Sequence, residues 1–245
     1  MKKIYLATIA VFLGIAFAAV SQEVKKIHAL IIVGGHDFQT NQFYQIFRDN
    51  PDITFEVAEH PNALKLLKPE TASKFDVIIL YDLWQKITDE DKENFIKFLE
   101  SGKGLVVLHH AIANYQQWPE YEKIIGGRYY LQKTMVNGVE KPRSIYKHGV
   151  KYQVKIADDK HPITQGLQDF TIIDETYNLY DVSPDSHILL TTDEPTSHKY
   201  IGWTHNYKNA RIVYIQLGHD RFAYENKNYR NLISRSILWV CKRIN

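Results

Sequence analysis

Four short polar clusters in this sequence carry side chains able to move protons at neutral pH. His36 and Asp37 follow an apolar run at 27–33, Asp82 and Trp84 follow one at 76–81, His109 and His110 follow one at 104–108, and Gly218-His219-Asp220 follows one at 211–217. Imidazole titrates nearest neutrality, so histidines with a carboxylate nearby can accept and donate protons without extreme tuning. A further acidic pair, Asp174 and Glu175, interrupts the apolar segment that ends at Tyr177. Solvated charge is out of keeping there, which points one of the two side chains into a polar site. Taken singly, each of these histidines reads as a hydrogen-bonded structural group. Their convergence at one kind of position is what suggests a site.

Histidines so far apart in sequence meet only if the fold brings strand ends to one rim. Apolar runs alternating with helix-like segments predict a mostly parallel sheet covered on both faces. Strands are expected at 27–33, 54–58, 76–81 and 104–108. Phe43, Ile46 and Phe47 mark a helix over 39–48, Thr88 with Asp91 reads as a capping box, and Ser101-Gly102 ends the helix that follows. Trp118-Pro119-Glu120 opens a short helix. Runs at 150–156, 171–173, 188–192, 200–204 and 211–217 are short and partly alternating, which predicts antiparallel or mixed pairing in the second half. The last helix, over 228–242, presents Tyr229, Leu232, Ile233, Ile237 and Val240 as one apolar face. In an open α/β sheet, ligands bind outside the carboxyl ends of the strands, where the polar clusters fall.

The 245 residues are 44% hydrophobic and 24% charged with one cysteine, which excludes disordered, collagen-like and disulfide-stapled classes. A chain of this size folds without a structural metal, so any metal would serve chemistry. Lys2 and Lys3, an apolar run over 4–20 and small residues at Ala16, Ala18, Ala19 and Ser21 read as a secretory signal peptide over 1–21, cleaved between Ala18 and Gln22. An uncleaved anchor is the alternative. One domain over 22–245 and a periplasmic location follow. Loss of Lys2 and Lys3 leaves 28 basic and 28 acidic side chains, so no charge surplus favours nucleic acid or an anionic membrane. Cys241 reads as an inert core thiol. His-Glu-x-x-His, Cys-x-x-Cys, Gly-x-Gly-x-x-Gly, Gly-x-x-x-x-Gly-Lys and Gly-x-Ser-x-Gly are all missing from the sequence. No metal, nucleotide or other cofactor is therefore expected.

Six segments, at 104–111, 118–127, 161–167, 170–177, 210–220 and 237–239, resemble in order the landmarks of the ThuA-like (trehalose-utilisation) family. The resemblance covers essentially the whole chain after the leader. It implies a three-layer α/β sandwich of the class I glutamine amidotransferase-like, flavodoxin-related kind, and a role in sugar catabolism beside oxidoreductases that generate keto-sugars. His109 stands where glutamine amidotransferases place a nucleophilic cysteine, and the one cysteine lies on the last helix, so amidotransferase chemistry is excluded. Asp174, Glu175, Tyr177, His219, Asp220, Gly126 and Gly127 match the family pattern. A histidine that many relatives carry shortly after the paired glycines is replaced here by Arg128-Tyr-Tyr-Leu-Gln-Lys133.

The function expected is a periplasmic carbohydrate-processing enzyme acting on a sugar, glycoside or keto-sugar. His109 and His219 form its proton-transfer pair, and Glu175 or Asp174 orients an imidazole. His36, Asp37, Trp84, His110, Trp118, Tyr177 and Asp220 are the expected substrate contacts, the aromatic ones as faces for a sugar ring. The alternatives are a noncatalytic sugar-binding module and a metal-dependent hydrolase. A small carbohydrate is the expected partner, nucleic acid is not, and self-association is left open.

Overall fold

The computed structural model describes residues 25–245. The leader expected over 1–21 and its cleavage site lie outside the described residues. Strands β1 (Ile27–Gly34), β2 (Ile53–Glu59), β3 (Val77–Asp82) and β4 (Gly104–Leu108) alternate with helices α1 (Thr40–Arg48), α2 (Pro69–Ala72) and α3 (Asp89–Glu100). Helix α4 (Pro119–Ile125) leads into the short strands β5 (Gly127–Arg128), β6 (Thr134–Val136) and β7 (Val139–Lys141). Then follow β8 (Ile145–Ile156), β9 (Phe170–Asn178), β10 (Asp181–Val182), β11 (His187–Thr191), β12 (Tyr200–Tyr207) and β13 (Ala210–Ile215), before α5 (Arg221–Tyr224) and α6 (Lys227–Val240).

Nine strands form one sheet in the order β2-β1-β3-β4-β13-β12-β11-β8-β9. The first five are mutually parallel and the remaining pairings are antiparallel. Pairing therefore changes from parallel to antiparallel in the second half, as the shorter alternating runs predict. Side chains alternate across each strand. Ala29, Ile31 and Val33 of β1 join the core beneath α1 and α6, and Leu30 and Ile32 join a second core beneath α3 and α4. Each buried leucine or isoleucine in these layers contributes about 1.5–3 kcal/mol of transfer free energy. The result is a three-layer α/β sandwich. Thr88 caps α3, its hydroxyl oxygen accepting from the Asp91 amide at 3.1 Å. Among the described residues, no helix is long and apolar enough to cross a membrane.

The largest departure from expectation lies in β8 and β9. The run expected at 171–173 extends to Asn178, and its partner starts at Ile145 instead of residue 150. The acidic pair at 174–175 interrupts the apolar run, but the strand continues because β8 pairs with Asp174, Thr176, Tyr177 and Asn178. Beyond Lys155 and Ile156, which meet β11, the length of β8 has only β9 as its registered neighbour. These two strands thus extend as a ribbon past the sheet.

Candidate active site

The carboxyl ends of β1, β3 and β4, the turn after β13 and the β8–β9 ribbon converge on one place. Its centre is Glu175, on β9 and only 5% exposed. Nε2 of His109 lies 3.0 Å from its Oε2, Nδ1 of His219 lies 3.4 Å from the same oxygen, and Nδ1 of His148 lies 2.9 Å from Oε1. Burial pushes the Glu175 carboxyl upward, but hydrogen bonding and attraction to His109 and His219 outweigh it and hold the group well below the usual carboxylate range. At His219 burial disfavours the charged ring, and Glu175 more than reverses this, leaving its pKa above the ordinary value.

His109 follows β4 directly, at the sharp turn into a short 3₁₀ segment, His109–Ala113. Its φ of 51° lies in the left-handed region, a strained backbone for a residue other than glycine. Two contacts hold it there. The Tyr214 hydroxyl donates to its carbonyl at 3.2 Å, and its Nδ1 donates to the Gln216 carbonyl at 2.6 Å. A carbonyl only accepts, so Nδ1 carries the proton and Nε2 is the atom turned toward Glu175. The Tyr177 hydroxyl lies 2.8 Å from Nε2, and its ring stacks on the imidazole at 4.8 Å.

His219 is set by its backbone. Asp174 is fully buried and accepts from the amides of Gly218 at 2.7 Å, His219 at 2.9 Å and Glu175 at 2.9 Å. Desolvation raises its pKa, and His109 and the amide donors act against that rise. Gly218 is required at this turn: its φ is 119°, and a Cβ there would lie 2.1 Å from the Tyr229 hydroxyl. The acidic pair therefore divides its work. Glu175 faces the imidazoles, and Asp174 pins the loop that presents one of them.

Beside Glu175 lies a cavity of about 150 Å³, lined among others by His36, His110, Tyr129, Arg143, His148 and Tyr177, with Trp84 and Tyr146 at its mouth. His110 is buried, with Nδ1 donating to the Asp82 carbonyl at 3.2 Å, and burial drives its pKa well below that of a free imidazole. His36 is half-buried, with its ring 4.9 Å from that of His110, and its pKa is lowered by burial and then by His219 and His109. Both rings carry a buried nitrogen without a hydrogen-bond partner among the described residues, Nδ1 of His36 and Nε2 of His110.

Several expectations need correction. His109 and His219 do meet, at 3.2 Å, but His109 is 0% exposed and does not line the cavity. Trp118 offers no face to a sugar: it is buried in the core against Phe95 and Tyr115. Asp220 caps α5, accepting from the Phe222 amide at 2.8 Å. Asp37 is exposed and lies outside the cavity lining, whereas Trp84 is 61% exposed at its mouth. Cys241 is tucked against the Asp76 carbonyl, and burial pushes its thiol up to about 12.

His148 was missed. It sits on an irregular stretch of β8, between the pairs Lys147–Thr176 and Val150–Asp174, where one strand advances three residues and the other two. Gly149, with φ of 64°, supplies the left-handed residue of this bulge, which turns His148 onto Glu175. A lone glycine in a strand-like run was the signal that could have found it.

The matched relatives agree with this architecture. A family model described as ThuA, trehalose utilisation, matches residues 28–240. No curated protein sequence matches the chain. Among solved structures, a ThuA-like protein from Parabacteroides merdae superposes with a TM-score of 0.75 at 20% identity, covering 89% of this chain and 91% of that one. A second, from Bacteroides uniformis, gives 0.69 at 20% identity over 92% and 95% of the two chains. A GMP synthase component from Thermoplasma acidophilum gives 0.53 at 12% identity over 89% and 95%, consistent with a glutamine amidotransferase-like fold. With the family model spanning nearly all the described residues and the same fold in both ThuA-like structures, this chain belongs to the ThuA (trehalose utilisation) family.

Proposed function

We propose that the protein is a carbohydrate-processing enzyme that acts on a sugar, glycoside or keto-sugar by imidazole acid/base catalysis in the cavity beside Glu175. The observation that carries this reading is a buried carboxyl group contacted by three imidazoles at the wall of an aromatic-lined hollow. The family description ties the chain to carbohydrate metabolism. Proton transfer falls to His148, which contacts Glu175, lines the cavity and is open to solvent, so it can exchange its proton with water. Glu175 fixes the orientation of that ring, as a carboxylate does for a working histidine. His36 and His110 offer unpartnered nitrogens to substrate hydroxyls, and Trp84 and Tyr146 offer ring faces.

The leader-like residues 1–21 support work in the periplasm, and an oxidoreductase that supplies a keto-sugar fits as a functional partner. The test is incubation of the purified protein with disaccharides and their oxidised derivatives, read by mass spectrometry and NMR. Conversion is expected, and His148→Ala lowers turnover by about 10²-fold with partial rescue by added imidazole. A sugar that binds but returns unchanged after long incubation would establish a binding module instead, a role the exposed Trp84 and Tyr146 also suit.

A further inference from the structure

The side chains around His109 Nε2 are crowded in a way that hydrogen bonding alone does not satisfy. Oε2 of Glu175, Nδ1 of His219 and the Tyr177 hydroxyl lie 3.0, 3.2 and 2.8 Å from this one nitrogen. With Nδ1 already donating to Gln216, Nε2 has either one lone pair or one proton to offer three neighbours.

We infer that His109, Glu175 and His219 form a binding site for a divalent transition-metal ion. Their ligand atoms make a triangle with sides of 3.0, 3.2 and 3.4 Å. Bonds of about 2.1 Å place neighbouring ligands about 3.4 Å apart in a tetrahedron and about 3.0 Å apart at right angles. The triangle falls between these two values, so one ion fits above it with little movement. Two imidazoles and one carboxylate are also a donor set that zinc and other first-row ions favour.

Each ligand is held from behind. His109 is fixed through Nδ1 by the Gln216 carbonyl, Glu175 through Oε1 by His148, and His219 through its backbone amide by Asp174. Such outer contacts orient the ligands of metal centres and tune their basicity. His109 and Glu175 are almost completely removed from water, and Glu175 also borders the cavity, which places the proposed ion next to the hollow. The Tyr177 hydroxyl is no fourth ligand. Burial keeps it protonated, and it lies within reach of Glu175, to which it donates when Nε2 is engaged.

This inference rests on the cluster being the reactive centre and adds what occupies it. The ion would polarise a substrate oxygen, and His148, which contacts Glu175 only through Oε1, stays free for proton transfer. Sequence spacing offered no local ligand pattern because the three ligands come from residues 109, 175 and 219.

The test is calorimetric titration of chelator-stripped protein with zinc(II), with no carbohydrate present, and visible absorption of the cobalt(II)-loaded form. One ion per chain is expected, with a dissociation constant of about 1 μM or tighter. Glu175→Gln and His219→Ala, each checked by circular dichroism for folding, are expected to weaken it by about 100-fold or more and to abolish the cobalt band. His187→Ala, which removes the surface His187–Asp158 pair, leaves binding unchanged. No binding up to about 100 μM zinc, or binding that survives both site variants, overturns the inference. Carbohydrate conversion without zinc binding overturns the metal site and keeps the enzyme; a bound ion with no conversion of any sugar does the reverse.

Discussion

His109 and His148 approach the same carboxylate, at 3.0 and 2.9 Å, from opposite kinds of structure. One stands at the crest of a parallel sheet and is 0% exposed; the other stands on a two-stranded ribbon with its side chain 58% exposed. On the sheet side the Tyr214 hydroxyl donates to the His109 carbonyl, the Gln216 carbonyl accepts from the His109 ring and Asp174 accepts from the Gly218 amide, so small displacements are resisted by close-packed neighbours. On the ribbon side the strand is paired along one edge and bulged at Gly149. The lesson is a division of labour. Packed elements set where Glu175 and its buried imidazoles sit, and the ribbon supplies the imidazole that meets solvent and substrate.

The same substitution made on both sides should break or sharpen this contrast. Gly218→Ala puts a Cβ 2.1 Å from the Tyr229 hydroxyl and forces a side chain onto a glycine-type backbone, so it should destabilise by about 3 kcal/mol in urea unfolding and displace His219. Asp174→Asn, again on the packed side, replaces one acceptor oxygen with a donor facing backbone amides. The expected loss is about 2 kcal/mol, with sugar binding reduced through the shifted loop. A loss smaller than that for any ribbon substitution would erase the distinction.

The pH dependence of stability tests the junction between the two sides. His219 has a raised pKa in the folded state, so its contribution is complete below about 6.5 and fades as pH rises through the folded value. Glu175 has a depressed pKa, so its contribution is present above about 4.5 and fades as acid protonates it. Metal-free protein should therefore be most favoured by this pair between those limits, and Glu175→Gln should flatten both flanks of the unfolding midpoint against pH. Gly149→Ala is the mildest change. Nothing lies within 4 Å of the new Cβ, so only left-handed strain remains, about 1 kcal/mol, with the activity loss arising from a re-aimed His148.

Much of the fold was legible because periodicity is a local property. The runs at 27–33 and 104–108 lie within or match β1 and β4, Thr88 caps α3 as its spacing predicts, and the apolar face from Tyr229 to Val240 is buried along α6. The strand carrying Asp174 and Glu175 was cut short because polar residues in a strand are explained only by what pairs with them. Trp118 illustrates the converse, since an aromatic beside a helix start looks alike whether it faces a ligand or Phe95.

Sequence by itself determined which residue types were available for chemistry and which rim of the sheet would carry His109, His110 and His219, since strand direction and apolar runs decide where turns fall. Tertiary structure alone decided that His109 is sealed, that Asp174 holds a backbone while Glu175 holds imidazoles, and that His148 joins them. Those are distances between residues tens of positions apart, and they depend on strand order, one bulge and side-chain burial, none of which is encoded in any short stretch of chain.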